Sequence, residues 1–87
     1  MNTMTVLEKL AKAIDGQHYR SGGGIFVVWK ELPDGRFIEV DENSVGVYPS
    51  RFAHELGDES GVENIYFEDG DDPLTVLVSL FGFETVG

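Results

Sequence analysis

The chain has 87 residues, with sixteen acids against six bases and a net charge of −10; a chain of this length supports one core and buries roughly 60 to 65% of its unfolded surface. That charge disfavours direct binding to DNA, RNA or anionic lipid, where each phosphate contact needs a cation. The absence of Cys removes disulfides, thiolate metal sites and cysteine nucleophiles together. Six Phe, three Tyr and one Trp within a 41% apolar composition are enough for a packed interior. Met1-Asn2-Thr3-Met4 begins no secretory leader and the longest apolar stretch is too short to span a bilayer, so a soluble cytoplasmic protein is expected.

Thr5-Val6-Leu7-Glu8 has the form of a capping box. It predicts a helix from Val6, with Leu7, Leu10, Ala11 and Ile14 on the buried face and Gly16 as its stop. Gln17 to Gly24 reads as a loop. Its glycines do not make a phosphate cradle, because they run into the strand Ile25-Phe26-Val27-Val28-Trp29 instead of opening a helix.

Residues 25–32 and 36–42 flank Pro33-Asp34-Gly35, where Pro presets the first turn position and Gly takes the left-handed one. Pairing Leu32 with Arg36 puts Lys30 opposite Ile38 and Val28 opposite Val40 on a core face that also carries Phe26. The other face brings Trp29 against Glu39, Val27 against Asp41 and Glu31 against Phe37. That mixed face has two readings: a helix or loop covers it while the acids fringe the edge, or Trp29 and Phe37 stand exposed among carboxylates as an interface anchor.

Ser44 to Tyr48 predicts a further strand ended by Pro49. Ser50 caps a short helix over Arg51 to Leu56, with Phe52 and Leu56 on one face and Gly57 as stop. Asp58 to Gly61 is a turn, and Val62 to Glu68 a strand with Ile65 and Phe67 on one face. Asp72-Pro73 opens a helix through Leu74, Leu77, Val78 and Phe81. Because Val76, Leu80 and Phe83 make its other side apolar too, this helix must be buried nearly all round or bury a second face in another subunit. A strand over Thr75 to Val78 is the alternative.

No catalytic or metal constellation stands out. Glu68 to Asp72 lacks the alternating ligands and terminal Glu of a calcium loop, and His18 and His54 share no zinc-ligand spacing. No carboxylate pair is marked for acid-base work, so the expectation is a non-enzyme without cofactor or metal.

The informative feature is charge asymmetry. From Phe52 onward there are nine carboxylates and no Lys or Arg, so the two parts of the chain carry formal charges of −1 and −9. Glu55, Asp58, Glu59, Glu63, Glu68, Asp69, Asp71 and Asp72 fall within 18 residues, and their mutual repulsion lowers stability. Strand residues two apart stand about 6.7 Å from each other, of the same order as successive nucleic-acid phosphates, so a row such as Glu39 and Asp41 continued by the acidic turns could imitate a polyanion.

The fold expected is a single α+β domain over residues 1–87: an antiparallel sheet of about four strands, an N-terminal helix, a short middle helix and an apolar C-terminal helix packed on the sheet. The expected function is to dock this acidic surface, with Trp29, Phe37, Glu39 and Asp41, on a basic nucleic-acid-handling protein and block it. In composition, though in no residue motif, the chain resembles the small acidic inhibitors that phages make against host defence, anti-CRISPR proteins among them; the resemblance implies nucleic-acid mimicry in a host cytoplasm. The alternatives are a structural homodimer joined through residues 74–83 and an acidic protein of the halophile type with an unrelated function.

Overall fold

The apolar spacing at the N-terminal end of the chain forms α1 (Val6–Ile14), whose Leu7, Leu10, Ala11 and Ile14 are all buried. The computed structural model describes residues 6–20 and 26–83, and of Arg20 the backbone alone; Thr5 of the expected capping box and the Gly22–Gly24 run lie outside the described residues. The helix ends differently from expectation. Asp15, with φ of 57°, takes the left-handed position, and the Gly16 N–H closes the end on the Ala11 carbonyl at 2.8 Å. Gly16 is needed for room instead, since a Cβ there would stand 3.0 Å from the Trp29 carbonyl oxygen and 3.1 Å from a Val28 methyl.

The expected loop after α1 is in part a strand. β1 (Gln17–Arg20) pairs antiparallel with β2 (Phe26–Glu31), Gln17 opposite Trp29 and Arg20 opposite Phe26. It carries no aliphatic alternation because it is an edge strand held by ring contacts: His18 stacks on Phe26 at 5.1 Å and Tyr19 on Trp29 at 4.5 Å. The sheet therefore has five strands.

β3 (Phe37–Val40) joins β2 in the expected register, Lys30 opposite Ile38 and Val28 opposite Val40. The turn chemistry is as its residues dictate. The Leu32 N–H donates to the Arg36 carbonyl at 2.7 Å, Gly35 has φ of 95°, and Asp34 accepts from the Arg36 backbone N–H at 3.0 Å. Those hydrogen bonds from Arg36, the backbone one foremost, hold the Asp34 carboxyl below its ordinary range.

β4 (Ser44–Tyr48) and β5 (Glu63–Tyr66) continue the sheet, giving a meander with spatial order β1-β2-β3-β4-β5, every neighbour antiparallel. One face carries Val28, Ile38, Val40, Val45 and Val47, all buried with the α1 residues, Leu32 and Leu77 in one apolar cluster. α1 lies on β2 and touches α3 (Pro73–Phe81). The segment that read as helix or strand is thus a helix, started by Pro73 and ended by Gly82 at φ of 69°. Leu77 is fully buried, Leu74, Phe81 and Phe83 pack on the cluster, and Leu80 is exposed. α3 therefore buries Pro73 and Leu77 in its own domain, while Leu74, Val76, Val78 and Phe81 are partly covered. Among the described residues no helix is long and apolar enough to cross a membrane.

Candidate functional site

The second face of the sheet is covered in part by α2 (Arg51–Leu56), a helix of six residues and too short to persist without support. Its N-terminus is capped by Ser50, whose hydroxyl accepts from the Ala53 N–H at 3.1 Å, and its C-terminus by Gly57 at φ of 68°. The residue it lays on the sheet is His54. The His54 ring sits 4.8 Å from Trp29, 4.6 Å from Phe37 and 4.8 Å from Tyr48. Beneath it, Glu39 Oε1 accepts from Trp29 Nε1 at 2.9 Å and lies 2.8 Å from His54 Nε2. A carboxylate can only accept, so Nε2 carries the hydrogen.

This box corrects the expectation for the mixed face. Phe37 is 6% exposed and Trp29 half-buried; they are the floor under α2 and not an exposed anchor. Glu39, its side chain 36% exposed, turns Oε1 inward as an acceptor. Asp41 is occupied as well, closing the β3–β4 turn by accepting from the backbone N–H groups of Asn43 at 2.7 Å and Ser44 at 2.8 Å. Glu39 and Asp41 therefore do not form a free row of charge along β3.

The other nominated acids are exposed, and the topology divides them. The Phe67 N–H donates to the Asn43 carbonyl at 2.8 Å, which sets Glu68, Asp69, Asp71 and Asp72 beside the β3–β4 turn with Asp41 and Glu42. Glu63 lies opposite Val47, three rungs of the β4–β5 ladder away, about 10 Å. Glu55 in the last turn of α2, and Asp58 and Glu59 just past its Gly57 cap, precede it at that other end. The acids thus form two groups at opposite ends of the sheet. Several also hold local structure: Asp58 accepts from Ser60 Oγ at 2.7 Å and from its N–H at 3.0 Å, which lowers the Asp58 pKa through the side-chain bond first. Asp71 accepts from the Glu68 N–H at 2.9 Å. Asp72 occupies the cap position of α3, but its carboxylate takes the Thr75 hydroxyl at 2.9 Å and no backbone N–H.

Beside the box, between the α1–β1 corner and α2, lies a cleft of about 270 Å³ floored by Trp29, Phe37 and His54. Its cations are answered within its own wall. Lys30 Nζ donates to the Asp15 carbonyl at 3.2 Å and Arg51 Nε pairs with Glu55 at 3.3 Å. Among the described residues no three His, Asp or Glu side chains are placed to hold a metal ion.

Burial, reinforced by the charges of Glu39 and Glu59, raises the Tyr48 phenol above its ordinary 10.0. The native state then holds that proton more tightly than the unfolded chain, so the associated stability is complete below pH about 10 and lost as pH rises through the native value. Tyr48→Phe is expected to make the loss of stability above that pH shallower, as read by urea denaturation at a series of alkaline pH values. Equal slopes for the two proteins would show that Tyr48 ionises as freely in the native state as in the unfolded one.

No protein-family model, curated protein or solved structure matches this chain, so what the protein does is argued from its own residues.

Proposed function

We propose that this is a non-enzymatic acidic binding protein that docks its carboxylates on a basic, nucleic-acid-handling protein and blocks it. The observation that carries the reading is the run from Glu55 to Asp72, whose eight carboxylates are exposed and which holds no Lys or Arg. Among the described residues, Glu55 alone of its eight carboxylates has an ion pair, with the neighbouring Arg51. Exposed like charges left unneutralised lower stability, and a basic partner supplies the missing cations while the field speeds their encounter.

The division into two groups shapes the mode of binding. A partner that tracks a nucleic-acid backbone carries several basic patches along a groove, and acids at both ends of a short sheet meet two of them. Glu68 to Asp72 is the denser group, with four carboxylates in five residues, and is the one to test first.

The experiment is capture from nuclease-treated lysate, followed by titration of the captured protein against wild type and the triple variant Asp69→Asn, Asp71→Asn, Asp72→Asn across a salt series. Expected are a basic partner, affinity that falls steeply with salt, competition by duplex DNA or RNA, and at least a tenfold loss in the triple variant, about 1.4 kcal/mol. Affinity independent of both salt and the three substitutions would overturn the proposal.

A further inference from the structure

α2 is mounted inside out. Of its six residues, hydrophobicity would bury Phe52 and Leu56 and leave His54 in water; the structure does the reverse. Phe52 is 67% and Leu56 64% exposed, while the His54 side chain is 12% exposed over the Trp29, Phe37 and Tyr48 rings. Single exposed apolar residues need no explanation, whereas a paired set on a helix fixed in place is a marker of an interface. Phe52 and Leu56 stand one turn apart, on one side of the helix. Both ends of α2 are capped, and the bond from His54 to Glu39 holds the inner side. The pair is thus presented with little freedom to lose on binding.

The surroundings say what the pair meets. Glu55 in the last turn of the helix and Asp58 and Glu59 just past its Gly57 cap are exposed, and Arg51 of α2 is matched by Glu55. A second copy of the chain would bring the same negative field, and two side chains on a six-residue helix fall far short of the roughly 800 Å² that each side of a stable interface buries. Anionic lipid is repelled for the same reason.

We infer that Phe52 and Leu56 are the apolar anchor of the protein's docking surface, seating in an apolar pocket ringed by Lys and Arg on a basic protein partner. The inference rests on the proposed acidic binding function and adds to it a site and a partner chemistry: charge brings the partner in, and the anchor sets how long it stays.

Two labelled peptides of equal positive charge test it, one an amphipathic Leu/Lys helix and the other a Lys/Ser chain without apolar residues, each titrated by fluorescence anisotropy against wild type, Phe52→Ala and Leu56→Ala. Both substitutions fall on exposed side chains, and circular dichroism with Trp29 emission checks that the fold is kept. Wild type is expected to bind the Leu/Lys peptide at least tenfold more tightly than the Lys/Ser peptide. Phe52→Ala is expected to remove most of that difference and Leu56→Ala a smaller part, with Lys/Ser binding unchanged in both. No preference for the Leu/Lys peptide, or a preference that both substitutions leave intact, would overturn the anchor while salt-dependent binding of both peptides kept the acidic reading standing. Failure of wild type to bind either peptide in low salt would overturn both. A dimer by light scattering that Phe52→Ala dissociates would assign the pair to a second copy, and binding to phosphatidylcholine vesicles that Phe52→Ala abolishes would assign it to a lipid surface; either overturns the inference.

Discussion

Leu77→Ala is expected to destabilise the protein by about 3 kcal/mol, within the range for truncating a buried Leu where the surroundings relax only in part. Leu77 is completely buried and shares one apolar cluster with Leu7, Leu10 and Ile14 of α1 and with Val28, Val40 and Val45 of the sheet. A domain of this size has roughly 4 to 13 kcal/mol in all, so the loss lowers the melting temperature by about 12 to 24 °C. Leu80→Ala, three residues along the same helix but 47% exposed, is expected to cost under about 1 kcal/mol. Urea denaturation of the two variants measures the contrast. Near-equal costs would mean that α3 does not dock through Leu77. A large effect at Leu80, growing with protein concentration, would instead place the outer side of α3 in a dimer.

The contrast between those two leucines marks how far sequence reasoning reaches. Periodicity identified α1 and its four buried residues, and Pro33-Asp34-Gly35 defined the β2–β3 register, because both signals are local. α3 was ambiguous by pattern, since a segment apolar on all sides has no preferred face; its helical state follows from Asp72-Pro73 at one end and Gly82 at the other. β1 was hidden because an edge strand packed by Tyr19 and His18 on neighbouring rings carries no aliphatic alternation. The site was the least legible part. His54 and Glu39 are fifteen residues apart, and no local rule ties a histidine on one element to a carboxylate on another. Phe52 and Leu56 were correctly placed on one side of α2, but hydrophobicity assigns that side inward, whereas the waiting Glu39 carboxylate and three rings select His54. Turn chemistry for the acids was there to be read: Asp41-Glu42-Asn43-Ser44 and Asp58-Glu59-Ser60 both carry an Asp two residues before the N–H it accepts.

Glu39→Ala is expected to cost about 1 to 3 kcal/mol, because it leaves the covered His54 Nε2–H without its acceptor and turns the Trp29 indole N–H over to water. The Trp29 indole N–H and the His54 Nε2–H both converge on Glu39 Oε1, in a setting where the His54 side chain is largely withdrawn from water. A donor left unmet under such cover costs about 1 to 3 kcal/mol. Glu39→Gln separates geometry from charge: an amide oxygen placed where Oε1 lies still accepts both bonds, so a loss of under about 1 kcal/mol is expected if the box is held by hydrogen bonding. A loss equal to that of Glu39→Ala would instead show that the carboxylate charge holds the box. The indole reports directly, its emission shifting to the red when Nε1–H turns to water in the Ala variant and staying in place in the Gln variant. The same pair of variants tests how the box serves the outer surface. Glu39 makes no outward contact of its own through Oε1, so its truncation weakens Leu/Lys peptide binding only by releasing α2, and it should lower the affinity gained through Phe52 while leaving Lys/Ser peptide binding almost unchanged. Equal losses for both peptides would make Glu39 a carboxylate that the partner reads directly.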